Sequence, residues 1–77
     1  MNQERRTKLE EINETIGGLL GQAEELLEQE SEAYDNLPES IQNSERGESM
    51  QTAIDNLESL QSSLEEASNC IDDILNA

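Results

Sequence analysis

The chain has 77 residues, 19 acidic against four basic, a formal charge of −15 and no histidine, tryptophan or phenylalanine. That length holds one domain with a single core, and that charge repels phosphate, which excludes direct binding of DNA or RNA. No run approaches the ~18 consecutive apolar residues of a membrane span and no secretory signal precedes the first polar segment, so no membrane partner and a cytoplasmic location are expected.

From Leu9 the apolar residues recur at Ile12, Ile16, Leu19, Ala23 and Leu26, then at Ala33 and Leu37. Alternating steps of three and four mark a helix with one apolar seam, predicted over about residues 4–35. Glu30 alone breaks the seam. Leu20, Leu27 and Tyr34 each follow a seam residue and widen the stripe beyond the narrow face of a two-stranded zipper. Gly17, Gly18 and Gly21 lie off the seam, and each costs about 1 kcal/mol relative to alanine in a helix interior. They offer either a smooth face for close approach or a kink. The unbroken periodicity through Ile16, Leu19 and Ala23 favours a continuous helix.

The corner, about residues 36–44, holds the only proline of the chain. Pro38 disfavours helical geometry at Leu37 and ends the first helix near Asp35 and Asn36. It then opens a short turn to Gln42 from which Ile41 folds back onto the core. Asn43 or Ser44 can cap the second helix, with Glu45 and Glu48 favouring its positive end.

The second helix is predicted over about residues 45–76. Its seam is Met50, Ala53, Leu57, Leu60, Leu64, Ala67, Ile71 and Ile74, broadened by Ile54 and Leu75. Cys70 lies beside this stripe and reads as a small, half-buried apolar residue. With no second cysteine it forms no internal disulfide, which suits a reducing compartment.

The fold expected is all-α: an antiparallel two-helix hairpin with a structured corner, one domain over residues 1–77. Two helices cannot cover each other's wide stripes. The hairpin is therefore expected to self-associate, most simply as two copies in a four-helix bundle.

Catalysis is not expected. Without histidine the Glu-x-x-His pattern of di-iron bundles is absent, no calcium-loop spacing occurs, and the carboxylates belong to the outer faces, where nothing shelters a general acid. No cofactor or metal is expected. Arg46 is the informative charge. It is either a clamp on Asp35, Glu39 or Glu48, or the anion-reading group of a small site, since its planar fork suits carboxylate or phosphate. In the second case Tyr34 supplies a ring and a hydroxyl, and Asn36, Asn43 and Ser44 add neutral hydrogen-bonding groups. Glu30 is either a seam-edge residue paired with Arg46 or a hydroxyl, or a polar group facing a cavity.

The run Ala33-Tyr-Asp-Asn-Leu-Pro-Glu-Ser-Ile-Gln-Asn-Ser-Glu-Arg-Gly-Glu48, continued by Ala53-Ile-Asp-Asn-Leu-Glu58, resembles a recurrent group of short acidic proteins encoded by bacteriophages and prophages. The resemblance implies a phage-type protein acting inside a bacterium, where very small non-enzymatic proteins often block host defence by stoichiometric binding. Two functions fit. In the first, the acidic bundle imitates nucleic acid and occupies a basic surface of a host defence protein. In the second, oligomerised hairpins sequester a nucleotide-derived immune signal near Tyr34, Glu30 and Arg46. A scaffold coiled coil is a third.

Overall fold

The computed structural model describes residues 1–77. It contains three helices and no strand: α1 (Gln3–Asp35), α2 (Glu39–Gln42) and α3 (Glu45–Leu75). The two long helices lie antiparallel and side by side in a rod measuring 58 × 15 × 13 Å.

Each end of α1 has a local cause. Asn2 is extended, and its side-chain oxygen accepts from the Arg5 N–H at 2.9 Å, satisfying one donor that the first turn leaves free. At the other end the Asn36 N–H donates to the Glu32 carbonyl and the Leu37 N–H to that of Tyr34. Pro38, with φ −58° and ψ 147°, has left helical space. Between these ends α1 is unbroken through Gly17, Gly18 and Gly21, none of which has a positive φ.

The packing seam differs from the one expected. The α1 residues turned toward α3 are Leu9, Asn13, Ile16, Leu20, Ala23, Leu27, Glu30 and Tyr34, all buried or half-buried. Ile12, Leu19 and Leu26, expected in the seam, are about half exposed, at 50%, 45% and 52%. Ala33 is exposed as well. In α3 the same shift brings Ile54 and Leu75 inward, with Met50, Leu57, Leu64 and Ile71, and leaves Leu60 and Ile74 exposed. The physical reason is that three apolar positions recur in each seven residues of both helices. Two overlapping stripes then satisfy the same three-four spacing, and a single neighbouring helix covers only one of them.

Polar cross-links mark the stripe that is covered. The Ser68 hydroxyl donates to Asn13 Oδ1 at 2.7 Å, and Asn13 Nδ2 donates to Asp72 Oδ1 at 3.1 Å. Arg6 donates to the Leu75 carbonyl at 2.8 Å. These bonds tie the start of α1 to the end of α3. A polar residue at a seam position costs stability and selects one register, because slipping by a turn strands its partners. The core itself is thin: Ala23, Ile54 and Ile71 are its only buried apolar residues, and no side chain is fully enclosed. Ala23 lets the helices approach closely near the middle of the rod. Cys70, expected to be half-buried, is exposed on α3, because it falls on the side of that helix turned away from the covered stripe.

Candidate functional site

The corner is held by backbone geometry and by two residues that the sequence reading passed over. Gln42 Nε2 donates to the Tyr34 carbonyl at 3.0 Å, which ties α2 back to the last turn of α1. Gly47, in the first turn of α3, is buried against the Gln42 backbone, and a Cβ at that position would overlap the Gln42 carbonyl. Its φ is ordinary, so close approach rather than backbone freedom requires the glycine. A glycine within the acidic first turn Glu45-Arg-Gly-Glu48 was the available signal: nothing about a helix start asks for it.

Ser44 takes the cap position of α3 with extended backbone, φ −94° and ψ 176°. Its hydroxyl does not cap the helix, however; it donates to the Ile41 carbonyl and closes α2 instead. Asn43 ends α2, its N–H donating to the Glu39 carbonyl and the following Ser44 N–H to that of Ile41, and Asn43 itself is exposed. Asn36 is exposed at the end of α1, while Tyr34 and Ser44 are half-buried.

Arg46 is exposed and forms no ion pair; the one in the protein joins Lys8 to Glu4 at 3.9 Å on the open surface of α1. The clamp expected of Arg46 on Asp35, Glu39 or Glu48 is therefore absent. Its place is taken by Gln42 and by the tight passage of Gly47. Glu30, half-buried on the seam, bonds neither Arg46 nor a hydroxyl.

No cavity lies among these corner residues within a single chain. The concavity of the molecule is a groove of about 230 Å³ near mid-rod, lined by Leu19, Gln22, Ala23, Leu26, Leu60 and Leu64. Its lining is apolar apart from Gln22, so it offers contact area rather than chemistry. Gly17, Gly18 and Gly21 occupy another side of α1, exposed and with open space where a Cβ would stand.

The remaining feature is charge. Of the nineteen carboxylates, all but Glu30 are exposed. Nineteen carboxylates along 58 Å is about one per 3 Å of rod, close to the ~3.4 Å per phosphate of one DNA strand. Three of the four cations, Arg5, Arg6 and Lys8, gather where the chain termini meet, so the middle and the corner are nearly pure anion. No group of histidine, cysteine, aspartate and glutamate side chains is arranged to hold a metal ion, and no helix is long and apolar enough to cross a membrane. Compared with known protein families, curated proteins and solved structures, the chain matches none of them.

Proposed function

We propose that this protein works by stoichiometric binding without turnover: copies of the hairpin assemble into an acidic helical bundle that occupies a basic surface of another protein, in place of nucleic acid. One observation carries this reading. The carboxylates are spread along a rigid rod at a spacing near that of phosphates, and almost none is neutralised within the molecule. Charge left unpaired in this way steers encounter with a basic partner and attracts it at short range. The resemblance of residues 33–58 to small phage proteins directs the reading toward a bacterial defence protein whose nucleic-acid groove would be blocked.

The test is native mass spectrometry of the protein isolated from a bacterial lysate, followed by titration of whatever protein it retains. The retained partner should be basic, should compete with DNA or RNA for this chain, and should be released as salt is raised. A partner that binds equally well when Glu24, Glu28 and Glu32 are all changed to glutamine, and equally well in high salt, would overturn the reading.

The unpaired fork of Arg46 favours a second reading, capture of a nucleotide-derived signal at the corner. Its site would have to be completed by a second copy, since one chain encloses nothing there. In that case cyclic or ADP-ribose-type nucleotides raise the melting temperature, and Arg46→Ala or Tyr34→Ala removes the effect.

A further inference from the structure

Both long helices carry a second apolar row just outside the seam, at seven-residue intervals. On α1 it is Ile12, Leu19, Leu26 and Ala33; on α3 it is Ala53, Leu60, Ala67 and Ile74. In each helix these residues immediately precede a seam position, and in an antiparallel pair that puts both rows on the same side. The groove shows the two rows meeting, because Leu19 and Leu26 line it together with Leu60. The result is one apolar face along the rod, interrupted by no carboxylate in either row.

We infer that this face is the interface with a second copy of the chain, packed with its rod antiparallel to the first about a two-fold axis near mid-rod. The inference rests on the self-association proposed above and specifies its surface and orientation. Three observations support it. The first is concentration: five of the six large apolar residues that the hairpin leaves exposed, all but Met1, lie on this face, within roughly 30 Å of rod at 1.5 Å per residue.

The second is the order of side-chain sizes along the face. The cross-links between Asn13 and Asp72 and between Gln61 and Glu24 set the register of the hairpin. In that register Ile12 lies level with Ile74, Leu19 with Ala67, Leu26 with Leu60 and Ala33 with Ala53. The face is thus bulky at the end with the termini and flat at the corner. An antiparallel two-fold sets each isoleucine pair against the partner's alanine pair and joins Leu19 and Ala67 to the partner's two leucines. Every layer then has similar volume, as dense packing requires. A parallel arrangement would stack four isoleucines at one end and leave four alanines, with a void, at the other.

The third is charge. The antiparallel arrangement brings Arg5, which continues the α1 row at the terminal end, over the partner's corner, where Glu39, Glu45 and Glu48 outnumber Arg46, the residue that continues the α3 row. The parallel arrangement would bring the two corners together, adding Glu39, Glu45 and Glu48 of one copy to those of the other.

The experiment combines sedimentation with directed cross-linking. In a Cys70→Ser background, the protein carrying both Ile12→Cys and Ala33→Cys is oxidised and run on a non-reducing gel. The two positions lie 21 residues apart on one straight helix, roughly 30 Å at 1.5 Å per residue, so they cannot bridge within a chain. A covalent dimer formed only by the double variant is the expected result. Unmodified protein is expected to sediment as a dimer at micromolar concentration and to associate more tightly in higher salt, which screens the repulsion between copies. Leu26→Glu should weaken association on the order of 100-fold or more, because the carboxylate enters the two-fold interface twice, while the helical circular dichroism stays. Unmodified protein that remains monomeric overturns both the self-association and this face. An oligomer that forms no cysteine bridge, or is indifferent to Leu26→Glu, overturns this face alone.

Discussion

Gly47 is packed against the Gln42 backbone where α3 begins, while Gly18 stands in open solvent on α1. The same substitution should therefore have opposite signs at the two sites. Gly47→Ala must displace backbone and is expected to cost about 2 kcal/mol or more; Gly18→Ala removes a helix-interior glycine and should gain about 1 kcal/mol. Urea unfolding of the two variants checks both. If Gly18→Ala stabilises the isolated protein yet abolishes partner binding, the glycine side of α1 is a close-approach surface. Arg46→Ala, by contrast, touches nothing in the chain and should leave stability within about 0.5 kcal/mol. A larger loss in that measurement would restore the clamp that the geometry does not show.

Asn13 and Ser68 place hydrogen-bonding groups in an apolar seam, with Asp72 accepting at its edge. Partly exposed polar bonds of this kind contribute little net energy, so their main effect is on register. Changing Asn13 and Ser68 together to leucine should raise the melting temperature, since the seam gains apolar contact. It should also broaden the distribution of oligomers seen by sedimentation, because slipped pairings are no longer penalised. A sharper, single species with unchanged stability would show that register is fixed elsewhere, for instance by Arg6 on the Leu75 carbonyl. The same helices show where reading from periodicity stops. Helical character was evident because apolar residues recur with the period of a helix, and the end of α1 was evident because Pro38 cannot continue it. Which of two adjoining rows meets α3 was not evident. Leu19 and Leu20, or Leu26 and Leu27, are chemically identical, and only the position of the neighbouring helix separates them.

The rod as a whole carries −15 with almost no internal compensation. Self-repulsion in such a molecule opposes compactness and is screened within a Debye length of about 8 Å at physiological salt. Raising salt should therefore increase the melting temperature and tighten self-association, while loosening any complex with a basic partner. Thermal melts and partner titrations over the same salt series check all three slopes. Identical slopes for self-association and partner binding would mean that the two share an apolar surface and that the carboxylates are bystanders. As for the candidate site, the acidity was legible in composition. Its usefulness depends on the carboxylates being exposed and unpaired, and composition does not report that.

By itself the sequence determined two long helices, a break at the proline, the sign and size of the charge, and an excess of apolar surface. Each of these is a local or additive property: periodicity, a missing backbone donor, a count of ionised groups. Tertiary structure alone decided that Ile12, Leu19 and Leu26 stay uncovered, that Arg46 is free, and that Gln42 and Gly47 hold the corner. Those outcomes depend on the rotation of one helix about its axis relative to the other. That angle is set by contacts between residues tens of positions apart, and no pattern within a single helix encodes it.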